Sequence, residues 1–335
     1  MTEYVATSPG VFPLPDAVKS ELSELNGRAA ATPDDGSGAV ATAHADARAT
    51  MIADQRNAGL DRIVEGCPRW DDMLAHPLTL HDNVETGGIV RYYDNNNFYR
   101  NPRIVGELTP AGDVPADLAR AADLLDDGDP PLQATLPGPH SLADLATDEH
   151  YGDDRTLLSA VADFLAGEVD AFPAHETLFL LDPSLVTAPP DDDLAPAVPK
   201  AIDTVAAATD ADVIVSTYFG ALDEKTYAYL MDADVDALGL DIVASDREQT
   251  VYNAVEYGLT DDVALGVANG RNTLVESAET LRERAEWFVD QVPAADLGRV
   301  YLHTDTEPFY LPVNKHRAKL DAVGAAADRE TAVRA

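Results

Sequence analysis

Cysteine is nearly absent: Cys67 stands alone in 335 residues. An internal disulfide is therefore excluded, as is any metal site within the chain that needs several thiolates. Lysine is scarce, limited to Lys19, Lys200, Lys225, Lys315 and Lys319. Lysine and arginine together number 23 against 60 acidic residues, a formal net charge of −37. Nucleic-acid binding needs the opposite balance. No run approaches the ~18 uninterrupted apolar residues that read as a membrane span. Met1-Thr2-Glu3-Tyr4 has neither a basic n-region nor an apolar h-region, so no secretory signal is expected. These absences make a cytoplasmic location the expectation.

What is present is acid, spread along the whole chain rather than clustered. A mimic of nucleic acid would concentrate it. The even spread reads as adaptation to a high-salt cytoplasm, where molar salt shortens the screening length to a few ångströms and quiets self-repulsion. Hydrophobic residues make up 45%, enough for a sizeable core.

Short apolar runs alternate with helical patterns. The strand candidates are Tyr4–Thr7, Leu60–Gly66, Leu132–Leu136, Thr177–Leu181, Asp212–Phe219, Ala237–Val243, Val263–Val267 and Val300–His303. Between them, stretches such as Leu157–Val169 and Leu274–Gln291 repeat apolar residues at three and four residue spacing. Eight strands alternating with helices predict an α/β fold, a (β/α)8 TIM barrel. No G-x-G-x-x-G follows the first strand, which argues against an open dinucleotide-binding sheet. Residues 1–325 read as one barrel and 326–335 as a frayed tail. Pro33–Gly38 reads as an exposed excursion in the first crossover, and an insertion at about 76–131 separates strands two and three. That insertion holds the polar aromatic run Arg91–Arg100 and an acidic helix ending near Asp129.

Barrel active sites lie at the carboxyl ends of the strands. There the chain carries Leu136-Pro137-Gly138-Pro139-His140, then Leu181-Asp182-Pro183, Ser216-Thr217-Tyr218-Phe219-Gly220, Gly239-Leu240-Asp241, Asn269-Gly270-Arg271-Asn272, and His303-Thr304-Asp305-Thr306-Glu307. His303, Asp305 and Glu307 alternate, so a continued strand would set them on one face as a metal or acid–base cluster with Asp241. Alternatively they are the hydrogen-bonded end of a strand, with Glu307-Pro308 already leaving the barrel. Asp182 reads as a ligand carboxylate or as a cap for the next helix. Arg271 reads as a carboxylate clamp, or its loop as a turn with Gly270 at positive φ and Asn272 capping the helix from Leu274. Arg91, Arg100 and Arg103 form a local basic group, either an anion site or charges paired internally with Asp94 or Glu107. Cys67 lacks an activating histidine and reads as a packed residue.

Taken in order, Arg69-Trp70, Phe98-Tyr99-Arg100, Leu136-Pro137-Gly138-Pro139, Asp182-Pro183, Thr217-Tyr218-Phe219 and Asn269-Gly270-Arg271-Asn272 resemble the cobalamin-independent methionine synthase family over nearly the whole chain. That family, whose activity is methyl transfer from 5-methyltetrahydropteroyltriglutamate to homocysteine, joins two related barrels. Its catalytic barrel holds zinc, and the zinc-lacking N-terminal barrel helps hold the methylated folate and its glutamate tail. The present chain resembles the N-terminal barrel standing alone. Where the catalytic barrel has a His-x-Cys pair, a Glu and a Cys, this chain has Thr217 and Phe219, Asp241, and Thr306. Only Asp241 could ligate a metal.

The resemblance therefore implies no cofactor on this chain, zinc on a separate methionine synthase-like partner chain, and methyl-folate as donor. Arg69, Trp70, Asp94, Asn96, Tyr99, Arg100, Asp182, Thr217, Tyr218, Asp241, Asn269, Arg271 and Asn272 are the expected substrate-binding residues. Catalytic candidates are Asp182, Asp241, His303 and Asp305. Metal candidates are His303, Asp305, Glu307 and Asp241. Two alternatives stay open: a self-sufficient methyltransferase with a corrinoid donor, and a degenerate barrel kept for binding.

Overall fold

The structure is a computed structural model that describes residues 2–24, 38–93 and 98–328. Eleven strands appear among the described residues: β1 (Glu3–Ala6), β2 (Ile63–Val64), β3 (Val84–Arg91), β4 (Phe98–Ile104), β5 (Leu132–Pro137), β6 (Thr147–Asp148), β7 (Thr177–Leu181), β8 (Asp212–Ser216), β9 (Ala237–Asp241), β10 (Asp262–Ala268) and β11 (Arg299–Thr304). Eight of them form one parallel sheet in the order β1-β11-β10-β9-β8-β7-β5-β2. The sheet curls into the barrel. Its two outer strands meet at a seam where Asp61 N–H donates to the Ala6 carbonyl over 2.9 Å and the Asp61 carboxylate accepts from Ala6 N–H over 2.7 Å.

The strands read as continuous apolar runs because both faces are buried. Leu178 and Leu180, Val213 and Val215, Val263 and Leu265, and Val300 and Leu302 pack outward with the helices. The alternate residues Phe179, Ile214, Ala264 and Tyr301 fill the interior. The helices are fixed by local chemistry. Asp153 caps Asp154–Asp170 by accepting from Thr156 N–H, and Asp223 and Asp246 cap Glu224–Leu230 and Arg247–Tyr257 in the same way.

The segment between β2 and β5 supplies two strands of a separate three-stranded sheet, and β6, which follows β5, supplies the third. β3 and β4 pair antiparallel, with Val90 opposite Tyr99, and β6 joins β4 in parallel. Helix Asp113–Ala122 follows, and the stretch after it is tied back where Arg56 Nε donates to Asp129 over 2.8 Å. Tail residues Ala326 and Ala327 lie buried in helix Val313–Ala327, packed on the core rather than frayed; 329–335 lie outside the described residues. Of the expected excursion, 33–37 lie outside them too, and Gly38 opens helix Gly38–Ala58.

Strand ends at the mouth differ from the sequence expectation, β8 and β9 falling short and β11 running one residue past His303, and the reason bears on the site. β8 stops at Ser216 because Phe219 turns to φ +72°. β9 stops at Asp241, whose Oδ1 accepts from Val243 and Ala244 N–H, over 2.9 and 2.8 Å, and turns the chain. β11 stops at Thr304.

Candidate functional site

The mouth of the barrel assembles from these strand ends and the β2–β3 connection. Because β11 ends at Thr304, His303, Asp305 and Glu307 do not share a strand face, and the proposed alternating cluster does not form. His303 lies buried in the barrel, its ring edge-on to Phe179 and its Nδ1 2.6 Å from the Thr304 carbonyl oxygen. Burial lowers its pKa to about 4, so the ring is neutral near pH 7. Asp305 turns instead to the β10 loop, accepting from Gly270 N–H over 2.5 Å and from Asn269 Nδ2 over 3.4 Å. Glu307 accepts the hydroxyl of Tyr218.

The Asn269–Asn272 loop is a different turn from the one expected. Gly270 is not in the left-handed region. It is glycine because a Cβ would lie 2.6 Å from both the carbonyl oxygen and Oγ1 of Thr306. Asn269 Oδ1 accepts from Arg271 and Asn272 N–H, over 3.0 and 2.9 Å, and so shapes the turn. Asn272 accepts from Leu274 N–H but caps no helix; the helix is Ala278–Gln291, and its cap is Ser277. The loop is anchored below by Glu276, which accepts from Asn269 N–H and from the buried Lys319 ammonium at 2.8 Å. Arg271 stays half exposed, 4.0 Å from Asp305 and 5.4 Å from the Phe219 ring centroid.

Asp182, fully buried at the end of β7, commits both oxygens internally. Oδ1 accepts from Ser141 N–H and Oγ over 2.7 and 2.6 Å, and Oδ2 from His140 N–H over 3.3 Å. The aspartate thus caps helix Pro139–Asp144, which follows β5 rather than its own strand. Gly138 must be glycine for space, since a Cβ there would lie 2.2 Å from Asp182 Oδ2. Gly138→Ala is expected to push the carboxylate off its donors and cost about 3 kcal/mol or more. A thermal melt in molar salt should register a fall of roughly 4 °C; an unchanged midpoint would refute this account of the turn.

Other expected residues are held by internal partners. Arg69 donates through Nη1 to Asp113 and Asp117, with Asp117 at 2.8 Å. Arg100 pairs with Asp71, and Arg103 with Glu85 and Glu149. Arg100 and Arg103 therefore resolve as internally paired, with these carboxylates rather than with Glu107. Thr217 Oγ1 donates to the Gly239 carbonyl, and Trp70 stacks on His76 at 5.6 Å. Tyr99 is buried beside Tyr92. Asp94 and Asn96 lie outside the described residues.

The structure adds residues that the sequence reading passed over. Asp72 is buried just after Trp70, and Tyr92 is buried in the aromatic run; each carries a side-chain oxygen without a hydrogen-bond partner. Asp241 Oδ2 and Glu307 Oε2 share that condition. Burial raises the Asp241 carboxyl, and it raises Asp72 to about 6 and Asp305 and Glu307 to about 7, with the Asp241 charge adding to the rise at Asp305. The signal for Asp72 was its place next to Arg69-Trp70; nothing in the sequence marked its burial.

A carboxyl raised in the folded state stabilises the protein fully below its unfolded pKa near 4, and that stability is lost as pH rises through about 7. Buried His303 and His316, lowered to about 4 and about 3, act oppositely, losing stability as pH falls below about 6.5. These carboxyls, with Glu65 also raised to about 7, outnumber the two histidines, so at constant molar salt the melting temperature should decline between pH of about 4 and 7 and level off above. Glu307→Gln should flatten that decline by on the order of 1–3 kcal/mol. An equally steep decline in the variant would remove Glu307 from the explanation.

The zinc ligand set implied by the resemblance can now be tested on this chemistry. Thr217 and Thr306 engage backbone carbonyls, Phe219 has no donor atom, and Asp241 alone offers a free oxygen. No group of three His, Cys, Asp or Glu side chains among the described residues could hold a metal ion. These residues do not fit a thiolate-activating zinc site.

Fold and mouth together define a (β/α)8 barrel whose mouth is built from buried carboxyls and aromatic rings. The chain belongs to the cobalamin-independent methionine synthase family: the family model for the N-terminal domain of cobalamin-independent synthase matches residues 81–287. A 5-methyltetrahydropteroyltriglutamate–homocysteine methyltransferase of Salinibacter ruber is 32% identical over 162 residues, 45% of this chain and 20% of that one. The matched region is thus a fifth of that relative's length. A methionine synthase of Sulfolobus acidocaldarius is 23% identical over 257 residues, covering 72% of this chain and 71% of the relative. Among solved structures, a B12-independent methionine synthase from a Shewanella species, in complex with selenomethionine, superposes with a TM-score of 0.75 at 17% identity over 96% of both chains. A putative one from Listeria monocytogenes gives 0.71 at 15% identity over 98% of both. Those two structures establish the barrel. No helix among the described residues is long and apolar enough to cross a membrane.

Proposed function

We propose that this barrel serves methionine biosynthesis by binding a methyl donor at its mouth and presenting it to a separate, zinc-bearing barrel of the same family. The observation that carries this reading is the donor set at the strand ends. Thr217, Phe219, Asp241 and Thr306, which the family resemblance matches to the thiolate-activating ligands, cannot form that cage. Activation of the acceptor thiol is then the partner's task. The present chain contributes position and exclusion of water.

The surface supports a docking partner. Of the exposed large hydrophobic side chains, Ile89, Val90 and Phe98 project from the β3–β4 hairpin, and Leu274 and Tyr310 from the loops after β10 and β11. All five sit on connections that leave the carboxyl ends of barrel strands. Exposed apolar groups on a highly charged protein mark an interface, and these are five of the ten large ones among the described residues; Tyr252, Val255 and Tyr257 lie on helix Arg247–Tyr257. Arg271, half exposed at the rim over Phe219 and 4.0 Å from Asp305, is a suitable group to orient an anionic part of the donor such as a carboxylate tail.

The test is a tagged pull-down from the native host in molar salt, with mass spectrometry and zinc quantification of the eluate. Co-recovery of a second barrel chain with near-stoichiometric zinc, and methionine formation by the pair alone, is the expected result. Recovery of this chain alone and metal-free would overturn the partner reading. The isolated chain is expected to be inactive, and His303→Ala is expected to leave the pair's activity within about twofold. Activity of the isolated chain that His303→Ala abolishes would favour a self-sufficient methyltransferase instead.

A further inference from the structure

Asp72, Asp241 and Glu307 are 1%, 2% and 3% exposed, and each keeps one carboxyl oxygen without a hydrogen-bond partner. Among the described residues no lysine or arginine forms an ion pair with any of them; the mouth's Arg271 reaches Asp305 instead. Beside them Tyr92, fully buried, has an unpartnered hydroxyl facing the charges of both Asp72 and Glu307. Buried carboxylates are normally paired. Here the nearest cation, Arg271, acts on Asp241 without forming an ion pair with it.

Next to these carboxyls runs an unbroken line of rings. Tyr99 and Tyr92 lie 4.7 Å apart between centroids, Tyr92 and Tyr93 5.0 Å, Tyr93 and Phe219 5.7 Å, and Phe219 and Tyr218 4.8 Å. The outer face of that line already accepts a positive group, since Arg271 sits over Phe219. Tyr218 joins the rings to the carboxyls directly through its hydrogen bond to Glu307.

We propose that the mouth is a binding site for an organic cation of the quaternary ammonium or sulfonium class, its methyl groups against the rings and its charge against Asp72, Asp241 and Glu307. Aromatic faces attract such soft, weakly hydrated cations, and neighbouring carboxylates add to the attraction. A hard divalent metal is a poorer match: it requires six or more oxygen ligands, and no group of three metal-binding side chains comes together among the described residues. The inference deepens the reading of the mouth as a donor site and rests on it only in placing the ligand there.

Binding of a cation favours the ionised carboxyls and so releases protons. The groups that set this response are named by their surroundings. Asp71, His76 and Tyr92 face Asp72; Tyr218 and Asp305 face Glu307; Asp305 and Arg271 face Asp241. Affinity should therefore rise by up to about tenfold per pH unit between pH of about 6 and 7 and level off above.

The experiment is calorimetric titration of the whole chain, in molar NaCl, with tetramethylammonium chloride and with tert-butanol as a neutral probe of similar shape. Saturable tetramethylammonium binding, a binding heat that changes with the buffer's ionisation enthalpy, and no tert-butanol binding are expected. Glu307→Gln should weaken the binding about tenfold, and Phe219→Leu, at a half-buried position, about fivefold. Melting curves confirm that each variant is folded. Equal binding of both probes, no binding of tetramethylammonium, or wild-type affinity in both variants would overturn the inference. Binding of a methyltetrahydrofolate probe without tetramethylammonium binding would overturn it too, while leaving the donor reading intact.

Discussion

Lowering KCl from about 3 M to about 0.1 M is expected to unfold the protein cooperatively, and restoring salt to refold it. The chain carries a net charge of −37, and its 23 basic residues cannot neutralise 60 acidic ones. Many of those basic groups are already paired: Arg48, Arg56, Arg69, Arg100, Arg103, Arg299 and Lys319 each hold a carboxylate. The surplus acid is left to solvent and counter-ions. At low salt the screening length grows from a few ångströms to about 10 Å, beyond the spacing of neighbouring surface charges. Net folding stability is only about 5–15 kcal/mol, so a repulsion of that order removes it. Circular dichroism melts across a KCl series measure this directly. A midpoint that stays constant from molar to dilute salt would mean that the acidic surface is not an adaptation to salt.

The second large effect lies beneath the mouth. Arg48, on helix Gly38–Ala58, donates to Glu65 over 2.5 Å and to Asp117 over 2.9 Å, with all three side chains buried. Asp117 also accepts from Arg69 and Arg120, while Glu65 accepts from Cys67 N–H and so shapes the turn after β2. Burial raises Glu65 to about 7 even with Arg48 beside it. Arg48→Met removes the cation and leaves buried negative charge, so it is expected to cost about 3–5 kcal/mol. Urea denaturation in molar KCl reads the loss. Adding Glu65→Gln to Arg48→Met should recover part of it, because the uncompensated charge is then gone. A loss below about 1 kcal/mol in the single variant would show that the network carries little stability.

The same network marks the limit of what single residues reveal. Arg48, Glu65 and Asp117 are separated by 17 and 52 positions, and nothing in their local sequence links them. Barrel curvature brings them together. Asp182 was legible as a cap, but the helix it caps follows another strand, because neighbouring strands β5 and β7 place Gly138 against it. The His303-Thr304-Asp305-Thr306-Glu307 alternation suggested one face only while the strand was assumed to continue. Its end at Thr304 sends each side chain to a separate partner. The Arg100 and Arg103 partners, Asp71 and Glu149, likewise belong to segments distant in sequence.

Three things were determined by the sequence alone. Strand–helix alternation set the (β/α)8 architecture, since a strand buried on both faces must be apolar throughout and each crossover must be helical. Composition set the charge of the surface. Short motifs at the strand ends set the family, because those positions alone face the mouth. Only the tertiary structure decided which polar atoms at the mouth are spent and which are free. Asp182, Thr217 and Arg69 are bound to internal donors and acceptors, while Asp72, Asp241, Glu307 and Tyr92 keep an atom available. The reason is physical: satisfaction of a buried polar group depends on neighbours that hydrogen bonding recruits across strands, and no local pattern encodes them.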